Sequence, residues 1–139
     1  MRAFILHALV LSIAGIGLSC SGDINNLPTT PDPVVVTETF SGTININGAA
    51  THAVFTSATG TVTATLTSLG ETVPAKMGFS MGTLSSIGTC TVVLVNDSSV
   101  VNTSLSGTVS TLGGSLCVRV YDVGALTESV SYTLTVSHP

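Results

Sequence analysis

The sequence predicts an all-β domain, a sandwich or barrel of about nine short strands. Three observations support this prediction: apolar and polar residues alternate, turn residues recur at spacings near ten residues, and no useful stretch has a helical period. Alternation with a period of two places one face of a strand in the core and the other in solvent. The folded part is expected to span residues 34–137.

The strand at residues 61–67 has the clearest pattern. Val62, Ala64 and Leu66 lie on one face, and four threonines lie on the other. Threonine is β-branched and favours strands, and its hydroxyl keeps an outer face soluble without charge. The other candidate strands are 34–40, 43–47, 52–56, 77–81, 89–95, 103–110, 116–121 and 130–136. Turn residues separate them at 47–48, 57–60, 70, 96–98, 113–114 and 122–124.

The composition limits the possible partners. Of the 139 residues, 7% are charged and 4% are aromatic, and the formal net charge is −4. Ordinary domains have about a quarter of their residues charged. Lys and Arg number three in the whole chain, so no nucleic-acid partner is expected, because such partners require a basic surface.

The N-terminus has the layout of a secretory signal peptide over residues 1–19. Arg2 supplies a positive charge, residues 3–18 are almost entirely apolar, and small residues precede Cys20. The alternative is a transmembrane anchor, but the segment is short for a span and no Lys or Arg follows it closely. The proline-rich residues 20–33 are expected to form a semi-extended tether.

Cys20 is a candidate lipidation site, because the residues before it resemble a bacterial lipobox. Lipidation would also account for an odd cysteine in an exported chain. Ser21 resembles the residue that sorts lipoproteins to the outer membrane. The protein is therefore expected at the outer membrane or cell surface, with a lipid at Cys20 as its only membrane contact. The alternative is ordinary cleavage near Ser19, which would leave the protein secreted or periplasmic.

Cys90 and Cys117 remain once Cys20 is assigned. In an oxidising compartment such a pair predicts one disulfide. It would close a loop of about 28 residues and contribute roughly 3–4 kcal/mol in the chain-entropy model. The alternative, a metal site, needs more ligands than two cysteines.

Several segments resemble bacterial pre-peptidase C-terminal domains. Residues 114–122 (GSLCVRVYD) and 130–136 (VSYTLTV) are similar to the last two strands of that family. Residues 38–44 resemble its first strand, and residues 61–66 resemble its Gly-x-Val-x-Ala-x-Leu strand. The resemblance implies a jelly-roll-like antiparallel β-sandwich of about eight or nine strands. It further implies a non-catalytic module that binds or stabilises, here as a stand-alone lipoprotein.

The histidines that could act as a base at neutral pH are His52 and His138 once the signal peptide is removed. His138 is expected to be frayed at the chain end, and His52 is expected to be an exposed side chain at the head of a strand. No Gly-x-Ser-x-Gly motif accompanies them. We therefore expect that the protein is not an enzyme.

Two pairs of residues are candidate binding sites. Asp97 and Asp122 each end a strand that begins near a cysteine of the expected disulfide, so their carboxylates could meet and bind calcium. The alternative is two independent Asx turns, and no other cofactor is expected. Arg119 and Tyr121 share the outward face of one strand and could bind a ligand by stacking and hydrogen bonding. The alternative is a packing pair between strands.

Two functions from different classes follow. The first is an exported cell-envelope module that binds a polysaccharide or an envelope protein, or stabilises one. The second is a structural or adhesive envelope domain that assembles through exposed strand edges.

Overall fold

A computed structural model describes residues 31–70 and 76–139. Within these ranges the chain forms eight strands and no helix, and so no helix that is long and apolar enough to cross a membrane. The predicted signal peptide, Cys20 and most of the predicted tether lie outside the described residues. The strands are β1 (Val36–Ile44), β2 (Ala49–Phe55), β3 (Gly60–Leu69), β4 (Met77–Leu84), β5 (Cys90–Ser99), β6 (Ser104–Val109), β7 (Ser115–Tyr121) and β8 (Val130–His138).

The strands form two four-stranded antiparallel sheets. The first sheet has the order β1-β8-β3-β6, and the second has the order β2-β7-β4-β5. The pairs β1–β8, β2–β7, β3–β6 and β4–β5 are nested, as in one long hairpin whose turn lies between β4 and β5. Folding such a hairpin over on itself gives the jelly-roll order. The all-β, jelly-roll-like sandwich predicted from the sequence is therefore confirmed.

The core lies between the two sheets and follows the predicted alternation. In β3, Val62, Ala64 and Leu66 are fully buried, whereas the threonines between them face outward. In β7, Val118 and Val120 point into the core, so Arg119 and Tyr121 point outward. The period of two therefore places the faces of these strands correctly.

Two predicted boundaries are wrong. Residues 34–40 and 43–47 do not form separate strands, because β1 runs without a break through Gly42. Residues 96–98 are not a turn, because they belong to β5, where an irregular register opposite β4 accommodates them. The turn follows β5 instead and includes Asn102, which has a φ of 69°.

The predicted disulfide between Cys90 and Cys117 is present. The Cα atoms of the two cysteines are 5.8 Å apart, and Cys117 is fully buried although it faces outward. The bond joins the beginning of β5 to β7, which is not its neighbour in the sheet. This is possible because β5 passes very close to the backbone of β4 at Gly82, where a Cβ atom would collide with the Thr91 carbonyl oxygen. The beginning of β5 is thereby held against the outer face of the second sheet.

Candidate functional site

The outer face of the second sheet carries a tyrosine ring that lies across a glycine. Tyr121 in β7 is directly paired with Gly78 in β4, and a Cβ on Gly78 would overlap three atoms of the ring. Only glycine permits so close an approach. The ring packs against the backbone of β4 at Gly78, and Tyr121 remains partly exposed. We call this ring the platform.

The platform is held by a carboxylate and flanked by a cation. The Tyr121 hydroxyl donates a hydrogen bond to Asp97 Oδ1, which lies in β5 on the far side of β4. The guanidinium carbon of Arg119 is 5.8 Å from the centroid of the ring, within cation–π range. Burial, with a further contribution from Asp97, raises the pKa of Tyr121 to about 12. The platform is therefore a neutral phenol whose orientation is fixed at its hydroxyl end.

Two buried polar atoms beside the platform have no hydrogen-bond partner among the described residues. They are Ser80 Oγ and Arg119 Nε. Ser80 is 1% exposed and is directly paired with Arg119 on one side and with Val95 on the other. A buried polar group without a partner costs about 1–3 kcal/mol. Arg119, Tyr121, Asp97 and Ser80 together form what we call the outer-face site.

The predicted calcium ligands have different partners. Asp97 accepts from Tyr121, whereas Asp122 accepts from four backbone N–H groups. Its Oδ2 accepts from Asn47 at 2.8 Å, and its Oδ1 accepts from residues 124, 125 and 126 at 2.8, 2.8 and 3.1 Å. These bonds, chiefly that from Asn47, lower the pKa of Asp122. Asp122 thus organises the loop after β7 and ties it to the turn between β1 and β2.

Calcium binding by Asp97 and Asp122 stays a prediction. In residues 31–70 and 76–139, no group of three or more His, Cys, Asp or Glu side chains is arranged to hold a metal ion. A calcium ion at this pair would need most of its 6–8 oxygen ligands from backbone carbonyls and water.

The inner face contains a second tyrosine, packed with a histidine. The Tyr132 hydroxyl lies 2.7 Å from His52 Nε2, and the His52 ring stacks on Phe40 with centroids 4.7 Å apart. Tyr132 is 2% exposed, and His52 is half-buried. Burial lowers the pKa of His52 and raises that of Tyr132. His52 is therefore not the exposed side chain that the sequence suggests, because β2 turns it toward the core.

The expectation of a frayed His138 is wrong. His138 is the last residue of β8, pairs with Val36 and is 4% exposed. Its Nε2 lies 3.5 Å from Glu38 Oε1. The terminal Pro139 is fixed as well, because its carbonyl oxygen accepts from the Ser57 N–H at 3.2 Å. The backbone ladder of β8 continues to the end of the chain and keeps His138 between the sheets.

Sequence reasoning placed Arg119 and Tyr121 on one face but missed the other two members of the outer-face site. The sequence predicts a turn at Asp97 and does not single out Ser80. One signal was present in the sequence: Gly78 lies inside an alternating strand, a position where glycine often marks a close approach of another group.

No protein-family model and no curated protein matches the chain. Its function therefore has to be inferred from the residues themselves.

Proposed function

We propose that the protein is an exported, non-catalytic domain of the cell envelope that binds carbohydrate on the outer-face site. The observation that carries the proposal is the platform: a partly exposed aromatic ring packed on a glycine, held at its hydroxyl by Asp97 and lying beside a guanidinium. The apolar C–H face of a sugar ring stacks on such a surface, and the hydroxyls around it bind neighbouring polar groups. The fixed ring needs no reordering when a ligand arrives, which favours binding.

Export and attachment to the envelope are supported by the sequence. Residues 1–19 have the pattern of a signal peptide, and Cys20 follows a lipobox-like segment. A disulfide such as Cys90–Cys117 persists in oxidising compartments. The resemblance of residues 114–122 and 130–136 to pre-peptidase C-terminal domains supports a binding or stabilising module, and we propose membership of that family on this basis.

A non-catalytic role is supported by what surrounds His52. Its Nε2 atom lies beside the Tyr132 hydroxyl, and its ring face is covered by Phe40. A general base must have a free nitrogen directed at the proton that it removes. His52 serves instead as a packed, hydrogen-bonded side chain between the sheets.

The test is binding of the purified protein to a panel of soluble polysaccharides by affinity electrophoresis and calorimetry. We expect saturable binding that Tyr121→Ala abolishes, because the variant removes the platform. The matched control is Thr61→Ala, which truncates an exposed residue on the outer face of the first sheet and should leave binding unchanged. Equal binding by Tyr121→Ala and the unmodified protein would contradict the proposal.

A second candidate function is self-assembly through β5. This strand is an edge of the second sheet, and its Val92, Val93 and Val95 are 41%, 68% and 58% exposed. Beside it an apolar cleft of about 240 Å³ lies between β5 and β6, lined in part by Met81, Leu94 and Val109. Exposed apolar edge strands pair readily with other chains.

Light scattering over a range of concentrations distinguishes this second function. Self-assembly would appear as oligomers that grow with concentration and that Val93→Lys prevents, because a lysine on an edge strand opposes pairing. A monomer at all concentrations would exclude it.

A further inference from the structure

The charge of the outer-face site is unusual for this chain. Lys and Arg number three in 139 residues, and Arg119 is one of them. Within the described ranges, Arg119 has no carboxylate within 4.0 Å. Among the described residues this half-buried guanidinium has no paired carboxylate, and burial of a charge without a partner is costly. Its position beside the platform would suit an anionic ligand.

Ser80 supplies an independent observation that points to a ligand. Its side chain is 1% exposed, and its Oγ has no partner among the described residues. On the outer face its neighbours along β4 are Gly78 and Gly82, which have no side chains, and its cross-strand neighbours are Arg119 and Val95. The Nε of Arg119, in the same cross-strand pair, is buried and also lacks a partner. Neither polar atom has a hydrogen-bond partner among the described residues.

A single carboxylate satisfies both donors. A guanidinium binds a carboxylate through two parallel N–H donors. Were Arg119 to turn toward such a ligand, the Ser80 hydroxyl in the same cross-strand pair would supply a third donor. The guanidinium carbon is 5.8 Å from the centre of the platform, so one sugar ring on the platform can place an exocyclic carboxylate beside Arg119.

We propose that the outer-face site binds an acidic sugar, a hexuronate whose ring stacks on Tyr121 and whose carboxylate is held by Arg119 and Ser80. This inference rests on the carbohydrate-binding function proposed above and specifies its ligand class. The Asp97 carboxylate is engaged by the Tyr121 hydroxyl, which fixes the ring on which the sugar would stack.

The experiment compares two ligands that differ only in charge. Polygalacturonate oligomers and their fully methyl-esterified forms have the same sugar rings, but the second lacks carboxylates. We expect the acidic form to bind about tenfold more tightly or better, since a hydrogen bond to a charged group contributes more than a neutral one. The preference should weaken as salt is raised.

Variants assign the preference to individual residues. Arg119→Gln should bind both forms with the affinity of the neutral ligand, and Arg119→Lys should recover only part of the preference, because an ammonium lacks the planar pair of donors. Ser80→Ala should lower the affinity for the acidic form alone, by several-fold. Thr61→Ala is the control. Circular dichroism of each variant establishes that it is folded.

The outcomes separate this inference from the function on which it rests. Equal binding of acidic and neutral oligomers, abolished by Tyr121→Ala, would overturn the uronate proposal and leave carbohydrate binding intact. No binding of either oligomer, nor of any other polysaccharide in the panel, would overturn both. Competition by polyglutamate that is unaffected by Tyr121→Ala would overturn the inference in favour of an acidic polypeptide.

Discussion

The inner and outer faces of this sandwich each carry a tyrosine paired directly with a glycine on the neighbouring strand. Inside, Tyr132 of β8 lies across Gly42 of β1, and outside, Tyr121 of β7 lies across Gly78 of β4. Each hydroxyl has one side-chain partner, His52 for the inner tyrosine and Asp97 for the outer one. The local arrangement is the same in both places.

The two tyrosines differ in what surrounds the part of the ring that does not contact the glycine. The inner ring is enclosed by the core and is 2% exposed, whereas the outer ring is half-buried and meets solvent. The inner pair therefore contributes chiefly to packing, and the outer pair, with the same contacts, presents a surface. The same pairing of tyrosine with glycine serves stability in one sheet and, in our proposal, recognition in the other.

Removal of each aromatic ring should affect the two faces most differently. Tyr132→Ala is expected to lower the free energy of unfolding by about 3–5 kcal/mol, because it leaves a cavity and takes the partner from His52. Tyr121→Ala should cost about 1 kcal/mol, as is typical of a partly exposed site. Urea unfolding followed by circular dichroism measures both. Equal losses would mean that the outer ring is also a structural element.

A methyl group added at each glycine should also affect the two faces differently. At Gly42 a Cβ would lie 2.8 Å from the Tyr132 hydroxyl oxygen, which has no room to move, so Gly42→Ala should cost about 1–3 kcal/mol. At Gly78 the overlap is more severe, yet Tyr121 can rotate into solvent. Gly78→Ala should therefore cost less stability than Gly42→Ala and should still abolish carbohydrate binding. Thermal unfolding measures the loss of stability, and calorimetric titration measures the loss of carbohydrate binding.

The hydroxyls provide a finer test. Tyr132→Phe leaves His52 Nε2 without its partner and should cost about 1–2 kcal/mol. Tyr121→Phe removes a bond to an exposed carboxylate that water can solvate, so the loss should be at most about 1 kcal/mol. Double-mutant cycles with His52→Ala and Asp97→Ala give the coupling of each pair. A larger coupling energy in the outer pair than in the inner pair would contradict the assignment of the inner pair to stability.

The histidine of the inner pair should make the free energy of unfolding depend weakly on pH in the acidic range. Burial lowers the pKa of His52 from its ordinary value of 6.5. Its contribution to stability is therefore complete above pH 6.5 and is lost as the pH falls through the folded-state pKa. His52→Gln should reduce the loss of unfolding free energy between pH 7 and pH 5. Thr61→Ala is the control, because it truncates an exposed side chain that does not titrate, and it should not reproduce the effect.

At alkaline pH, the tyrosines of both pairs should make the free energy of unfolding depend on pH. The pKa of Tyr121 is raised to about 12, and that of Tyr132 is raised by burial. Both contributions are present below pH 10 and are lost as the pH rises through the folded-state values. Tyr121→Phe and Tyr132→Phe should each make unfolding less sensitive to pH between 10 and 12.

The sequence predicts which face of a strand is buried, but not which residues of other strands lie opposite it. Residues 61–67 and 116–121 alternate locally, so the burial of Val62 and the outward position of Arg119 follow from a period of two. The disulfide between Cys90 and Cys117 could also be predicted, because few alternatives exist for one pair of cysteines in an exported domain. Such inferences depend only on neighbours along the chain.

The glycine–tyrosine pairs depend on register, which is set by distant segments and is invisible in one strand alone. Gly42 therefore suggested a break between two strands, although it lies inside β1 to make room for Tyr132. For the same reason Ser80 and Asp97 were not connected with Tyr121. They reach it only because β7, β4 and β5 lie side by side.

The pairing of Val36 with His138 has a mechanical consequence for any chain that is held by its beginning. Strand β1 enters the sandwich at that end and runs for nine residues, about 30 Å, toward the opposite end. The turn after β1 meets the loop after Tyr121, where Asn47 binds Asp122. A surface that holds the residues before Val36 would thus stand at one pole of the domain and Tyr121 near the other. Traction on the domain from a bound polymer would then run along the strands, loading the hydrogen-bond ladder between β1 and β8 in shear.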